Sequence, residues 1–220
     1  MLFGNLDLLR YDPLEFLRLM LMVAVAVAVA IAVHEFSHAL SATRLGDDTP
    51  RLQGRLSLNP LVHLDPLGTL FLFLVGFGWG KPVMVDRNRL KGGYRAMGKV
   101  ALAGPVSGLV VAGLLSMVLR ASDISLRSTL GEMLLMTIIL NIILSIFNLI
   151  PLPPLDGHKV AVGFLPFSMA LSFQRLERYG IMPLLMLIII DRFVGVSIIW
   201  RVIRPGVNFF GNLFLGEALL

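Results

Sequence analysis

A long apolar run near the N-terminus constrains the fold more than any other feature of this sequence. Every residue from Leu19 to Val33 is apolar, and the stretch VAVAVAVAIAV alternates in the manner of a β-strand. Because both alternating residue types are apolar, the alternation carries no amphipathic information. A lone strand in lipid would also leave its backbone groups without hydrogen-bond partners. The run therefore predicts a membrane-spanning helix.

This run is expected to be a retained span rather than a cleaved signal peptide. The residues before it include Asp7, Asp12 and Glu15, where a signal peptide carries a basic segment. The helical pattern also continues beyond the apolar run, which a signal peptide would not require.

The composition indicates that the chain crosses the membrane several times. Of its residues 56% are hydrophobic and 15% are charged, and the mean hydropathy is +0.83, whereas soluble domains carry about 25% charged residues. We expect one domain over residues 1–220 with an all-α polytopic fold, a bundle of about four to five transmembrane helices with a short re-entrant or β-hairpin element. The spans are predicted at residues 14–45, 96–119, 130–150 and 181–203, and the re-entrant element at 67–80.

The last predicted span carries charge in its middle. Asp191 and Arg192 are adjacent there, and charges near the bilayer centre are costly. Either the Arg192 side chain reaches to the interface or the segment breaks at this point. The two alternatives remain open at the level of the sequence.

The net charge of +5 is distributed like that of a membrane protein. Lysines and arginines concentrate between apolar runs, which is typical of a cytoplasmic loop. No nucleic-acid-reading motif accompanies them, so we expect no nucleic-acid partner. If the loops at 46–95 and 151–180 are cytoplasmic, both termini lie outside, in the periplasm of a bacterium. The clustered basic residues are Arg44, Arg51, Arg55, Lys81, Arg87, Arg89, Lys91, Arg95 and Lys99.

A metal-binding pattern closes the first span. The chain has no cysteine, so any metal must be held by histidine or carboxylate. His34 and His38 are four residues apart and lie on one helix face, where both imidazoles reach a single ion. Glu35 lies beside that face as a candidate general base. Two histidines and a glutamate at the end of an apolar helix predict a catalytic zinc site.

A catalytic zinc usually has three protein ligands and an open position for water. Asp156 is a candidate because PLPPLDG follows a span directly, and a carboxylate at membrane depth needs a partner. The alternative is that Asp156 and Gly157 simply form a turn. The candidates for the third ligand are His63, Asp65, Asp156, His158 and Asp191.

Three separated motifs resemble those of the site-2 proteases, which are intramembrane zinc metalloproteases. HEFSH lies at 34–38, NPLVHLDPLG at 59–68 is followed by GWGKPV at 78–83, and NLIPLPPLDG lies at 148–157. The motifs occur in the family's order and cover about residues 20 to 160. A soluble zinc protease would share only the first of them.

The resemblance implies a role for each matching residue. Asp156 completes the zinc site with His34 and His38, Glu35 is the general base, and Asn148 contacts the substrate or the developing oxyanion. One zinc ion per chain is implied. The chain resembles a minimal member without the PDZ or CBS domains that many relatives carry.

The resemblance also implies a substrate and a location. The chain would cleave a transmembrane segment of a membrane-anchored protein by regulated intramembrane proteolysis. It would be a multi-pass protein of a prokaryotic cell membrane, with its active site toward the cytoplasm. A catalytically silent membrane scaffold or chaperone on the same bundle is the alternative, although this sequence retains Glu35 and all three ligands. A metal transporter is a second alternative. It would need polar residues along several spans, and the predicted spans at 96–119 and 130–150 carry few.

Three further expectations concern individual segments. Asn59 and His63 either contact the substrate or the zinc ligands, or they only shape the loop, as does Asp65. His158 follows the metal motif and is expected in a solvated loop. The insert at 67–80 is expected to bind unwound substrate as an added strand, so a proline within 71–75 would weaken cleavage.

Overall fold

A computed structural model describes residues 6–75, 78–194, 197–216 and 219 of the chain. Helices dominate these residues, in agreement with the predicted all-α class. Two 3₁₀ turns, Pro60–Val62 and Glu177–Tyr179, supplement the helices. The helices are α1 (Leu6–Tyr11), α2 (Pro13–Arg44), α3 (Thr49–Leu52), α4 (Pro66–Val75), α5 (Gly93–Ala121), α6 (Thr129–Asn148), α7 (Asp156–Phe164), α8 (Phe167–Leu176), α9 (Met182–Val194) and α10 (Ile198–Leu215).

Among the described residues, α2, α5 and α6 are the helices long and apolar enough to cross a membrane. At 1.5 Å per residue, the 32 residues of α2 extend about 48 Å, which exceeds a hydrocarbon core of about 30 Å. The fold is therefore that of a polytopic α-helical membrane protein, as the sequence predicts.

Local chemistry sets the ends of these helices. Asp12 accepts a hydrogen bond from Glu15 N at 3.0 Å and starts α2, with Pro13 in the first turn. Gly46, at a φ of 106°, follows the end of that helix. Ser128 caps α6 by accepting from Gly131 N at 3.1 Å. Caps of this kind can be recognised from the local sequence alone.

Small side chains let the three spanning helices approach closely. Ala26 and Ala39 of α2 are fully buried, as is Ala112 of α5. A Cβ atom added at Gly108 of α5 would lie 2.4 Å from the Ser145 hydroxyl of α6. Close backbone approach of this kind stabilises helix pairs in lipid through van der Waals contact. The α5 helix consequently packs against α2 and α6 and, at its first turns, against α7.

The predicted span at 181–203 is not one helix. The structure has α9 and α10 there, and the described residue between them, Ser197, has a φ of 52°. The carboxylate of Asp191 accepts a hydrogen bond from Ile199 N at 3.1 Å. Asp191 thus satisfies one of the free N–H groups that begin α10. Of the two alternatives for this segment, the structure agrees with a break.

The insert at 67–80 differs from the predicted substrate-binding strand, whereas its prediction as a re-entrant element stays a prediction. Residues 66–75 form α4, whose first turn is capped by Asp65 accepting from Gly68 N at 2.8 Å. Helical residues at 71–75 direct their backbone bonds along the helix, so strand addition at those positions is wrong. The extended part of the insert that the structure describes is short, and an antiparallel bridge joins Leu64 to Gly80.

Candidate metal centre

Two imidazoles of α2 point into the interface that this helix forms with α5 and α7. His34 and His38 are 5% and 7% exposed, and their ring centroids are 4.6 Å apart in an edge-on arrangement. One helical turn separates them, as the spacing predicts.

Asp156 approaches both rings from the first turn of α7. Its Oδ2 atom lies 2.9 Å from His34 Nε2 and 3.1 Å from His38 Nε2. One ligand atom from each of the three residues falls within 4.8 Å of the others. Ligands about 2.0–2.1 Å from a tetrahedral zinc ion are roughly 3.3 Å apart, so this spacing suits such an ion with little adjustment.

A second contact fixes the orientation of one imidazole. His38 Nδ1 lies 2.7 Å from the carbonyl oxygen of Val100 in α5. A proton on Nδ1 can be donated to that carbonyl, which leaves the lone pair of Nε2 directed at Asp156 and available to a metal. Histidine ligands are commonly oriented in this way by a partner on the other ring nitrogen.

Gly104 leaves open the space in front of the two histidines. A Cβ atom at this position of α5 would lie 2.4 Å from His38 Nε2 and 2.7 Å from His34 Nε2. A methyl group would therefore fill the volume on which the ligand atoms converge. The absence of a side chain at Gly104 fits a centre that holds an ion at this place.

A cavity of about 120 Å³ adjoins the three candidate ligands, and we name it the site cavity. Glu35 and Asn148 also line it, together with Pro82 and Val83. Its volume accommodates several water molecules. The Asn148 side chain donates from Nδ2 to Leu144 O at 2.9 Å, which uses one of its two amide hydrogens.

Residues 81–86 form neither helix nor strand and line the site cavity through Pro82, Val83 and Val85, and we name this segment the strap. The main-chain N–H of Val83 donates to Glu35 Oε2 at 3.1 Å. Lys81 N donates to His63 O at 2.7 Å and Asp86 N donates to Asp47 Oδ2 at 2.7 Å. The strap is therefore held at both ends and at Glu35.

Two candidate substrate contacts lie outside the site cavity. His63 is fully buried, and its Nε2 atom lies 2.8 Å from Ser57 O. Asn59 Oδ1 accepts from Leu61 N at 3.1 Å and begins the 3₁₀ turn. These contacts shape the loop, so the structure brings neither residue to Glu35. Asp65, which caps α4, is likewise absent from the cavity wall.

His158 differs from its prediction as a solvated loop residue. It lies within α7, is 3% exposed, and its Nε2 atom lies 2.8 Å from Phe173 O. Because α7 begins at Asp156, His158 lies in its first turn and faces α8. His158 therefore joins these two helices and does not reach the metal centre.

Two carboxyl groups outside the spanning helices have shifted pKa values. Burial alone would raise the pKa of Asp156, yet the charges and hydrogen bonds of His38 and His34 outweigh burial and lower it well below its usual range. Burial would also raise the pKa of Asp47, but hydrogen bonds from Thr49 and from Asp86 N lower it. Both groups are therefore ionised at neutral pH.

Three residues around the cavity carry no distinctive signal of their own in the sequence. Lys159 lines the cavity from α7 without having been singled out. The only sequence signal of Gly104 is that Gly108 and Ala112 follow it at intervals of four residues, a spacing of small residues that favours close helix packing. Val83 acts through its backbone, and its only sequence signal is its place in the GWGKPV motif.

Comparisons with known proteins agree with these motifs. The description "Peptidase family M50" matches residues 70–190. A Bacillus subtilis protein named "Putative zinc metalloprotease YwhC" is 35% identical over 189 residues, which cover 83% of this chain and 85% of that protein. Proteins named "Putative zinc metalloprotease Rip2" match at 29% identity in Mycolicibacterium smegmatis, over 71% of this chain and 62% of theirs, and at 33% in Mycobacterium tuberculosis, over 57% and 50%.

No solved structure gives a significant match to the chain. The family description covers more than half of the sequence, and the Bacillus relative covers most of it. The chain therefore belongs to peptidase family M50, the site-2 protease family that its three motifs resemble.

Proposed function

We propose that this membrane-embedded peptidase uses one zinc ion to hydrolyse a peptide bond within the transmembrane segment of another, membrane-anchored protein. The observation that carries the proposal is the convergence of His34, His38 and Asp156 beside Glu35 in one cavity. The relatives that match most of the chain are named as zinc metalloproteases, which favours zinc as the ion. Oxygen and nitrogen donors of this kind suit zinc.

The three ligands and Glu35 divide the chemistry between them. A zinc ion held by His34, His38 and Asp156 would supply a Lewis acid and lower the pKa of water toward about 7. Glu35 accepts the proton of the attacking water at a carboxylate oxygen and then donates it to the leaving amine nitrogen. Val83 N–H donates to Glu35 Oε2 and so holds the carboxylate in place.

Asn148 is positioned for a supporting contact. It lines the site cavity with one amide hydrogen left over after its bond to Leu144 O. A donor held in position beside the metal centre stabilises the oxyanion that forms as the scissile carbonyl is attacked. Asn148 thus takes the role of oxyanion donor in this proposal.

The surroundings of the cavity point to a membrane substrate approached from one side. The spanning helix α2 supplies the two histidines, while α7 and the strap, which are outside the spanning helices, close the other side. The basic residues between α2 and α5 support a cytoplasmic location for this side by the positive-inside rule. We therefore assign the enzyme to a prokaryotic cell membrane, with its site toward the cytoplasm.

Zinc content and proteolysis test the proposal together. The purified wild-type chain should hold about one zinc, and Glu35→Gln should keep it because Glu35 is not a ligand. His38→Ala and Asp156→Ala should lose zinc. New protein termini within membrane segments, detected by mass spectrometry in cells that express each form, should fall by at least about 10²-fold in Glu35→Gln. A silent scaffold would produce the same termini in both, and full zinc in Asp156→Ala would exclude that ligand.

A further inference from the structure

A second cavity lies beside the site cavity, and we name it the side cavity. Its volume is about 230 Å³, and Met97 of α5 and Lys159 of α7 line both cavities. The two spaces thus share these side chains in their walls. A polypeptide lying in the site cavity would have the side cavity as its immediate neighbour.

Two cations and one carboxylate line the side cavity, which gives it a net positive charge. Lys159 and Arg87 line it, and neither forms an ion pair with any residue that the structure describes. The Arg87 guanidinium lies 4.1 Å from the centroid of the Tyr94 ring, which leaves its N–H groups free to bind an anion. Glu177 also lines the cavity, but it is exposed and pairs with neither cation.

The walls of the side cavity are held in place by contacts between helices. Tyr94 OH accepts a hydrogen bond from Gln174 of α8. The backbones of α5 and α7 meet closely, since a Cβ atom at Gly163 would lie 2.7 Å from Tyr94 O. A preformed pocket of this kind binds a side chain at a lower entropic cost than a mobile surface.

We propose that the side cavity is a specificity subsite that takes an acidic side chain of the substrate, next to the scissile bond. This inference rests on the proposed proteolytic function. Lys159 lies one helical turn after Asp156, so the cation is adjacent to the metal centre. Because an extended chain advances only about 3.3 Å per residue, we expect the acidic residue to lie one to three residues from the cut.

Binding of matched model peptides tests the subsite without requiring cleavage. Each peptide has one leucine–alanine span, a Gly-Pro break near one end, a fluorescent label, and Glu, Gln or Lys at successive positions flanking the break. They are titrated against zinc-loaded Glu35→Gln protein in a neutral detergent, with fluorescence anisotropy as the readout. At the best position, Glu should bind about five- to tenfold more tightly than Gln, the gain typical of one charge-assisted contact. Added salt should reduce this preference.

Reversing the charge of each cavity cation provides the decisive test of the subsite. Lys159→Glu should invert the preference toward the Lys peptide, and Arg87→Glu should do so in an independent variant. Arg95→Glu, an equal change at an exposed position of α5 that does not line the cavity, should leave it unchanged. Equal affinity for Glu and Gln at every position would overturn the proposal. So would a preference that disappears when phosphatidylglycerol is added, because a lipid phosphate would then occupy the cavity.

Cleavage of the same peptides by the wild-type enzyme separates the two proposals. The subsite predicts that kcat/KM follows the order of binding, Glu above Gln above Lys. Preferential binding without any cleavage would contradict the proposed protease function and not the anion-binding cavity. Cleavage that is indifferent to the flanking charge would contradict the subsite and leave the protease function in place.

Discussion

Gly104 shows how a single residue can determine whether a metal centre has room for its ion. It lies on α5, opposite the two imidazoles of α2, and an added Cβ would come within 2.7 Å or less of both Nε2 atoms. Neither imidazole can retreat easily, because His38 is bonded to Val100 O and both rings are buried. Gly104 therefore contributes to the metal centre by leaving space for the ion, and it does not coordinate the ion itself.

Gly104→Ala should lower zinc content at least about tenfold, because the methyl group competes for the volume in which the ligand atoms converge. Alanine favours helix over glycine, so α5 itself should form normally. Zinc is measured by elemental analysis of purified protein, alongside helical circular dichroism. Gly108→Ala is the matched control, since its methyl group would meet Ser145 and not the histidines. Zinc at the wild-type level in Gly104→Ala would contradict this account.

At the scale of elements, the strap links Glu35, the proposed general base, to distant loops. Val83 in its middle donates to Glu35, while its ends are held by His63 O and by the carboxylate of Asp47. Asp47 is fully buried and also accepts from Thr49 N at 3.0 Å. A change at Asp47, beyond the end of α2, is thereby transmitted to the base through one short segment.

The lowered pKa of Asp47 makes the attachment of the strap dependent on pH. Its contribution is present above the unfolded pKa of about 3.9 and is lost as the pH falls through the lower folded value. Hydrogen exchange of the amides at 83–86 should therefore accelerate only in strongly acidic buffer. In Asp47→Asn it should be fast at neutral pH also, because about 1–3 kcal/mol of hydrogen bonding is lost.

Asp48→Asn is the control for this experiment, since Asp48 is exposed and makes no side-chain cap. Its exchange rates should follow those of the wild type across the pH range. Equal protection of the strap in Asp47→Asn and wild type at neutral pH would show that the Asp47 bond does not hold this segment.

At the scale of the whole molecule, the charge distribution and the order of the spans must predict the same side of the membrane for each loop. The loop between α2 and α5 carries the basic cluster, and the connection between α5 and α6 lies one span away. The two connections must lie on opposite sides if α5 crosses the membrane.

Cysteine labelling measures this arrangement directly, because the chain contains no cysteine of its own. Gln53→Cys and Asp123→Cys, both at exposed positions, should react with an impermeant thiol reagent from opposite sides of the membrane. Lys91→Cys, in the same loop as Gln53, should label from the same side as that residue. Labelling of Gln53→Cys and Asp123→Cys from one side would show that α5 does not span.

The helical class and the candidate ligands could be predicted because their signals are local. The length of an apolar run indicates a span independently of the rest of the fold. The HEFSH motif places two imidazoles on one helix face because they are one turn apart. The third ligand depended on resemblance, since His34 and Asp156 are 122 residues apart. Their contact in the structure agrees with that prediction, while the roles of His34, His38, Asp156, Glu35 and Asn148 stay predictions.

The sequence by itself determined that this chain is a helical membrane protein with a His-Glu-His pattern, because apolar length and motif spacing act over short stretches of helix. Its three motifs indicated a peptidase by resemblance to a known family. Only the tertiary structure decided that Gly104 faces the histidines, that His158 is buried under α8, and that residues 66–75 are a helix joined to a short strap. It also decided that Lys159 lies between two cavities. These features arise from contacts between distant segments, whose packing no local pattern specifies.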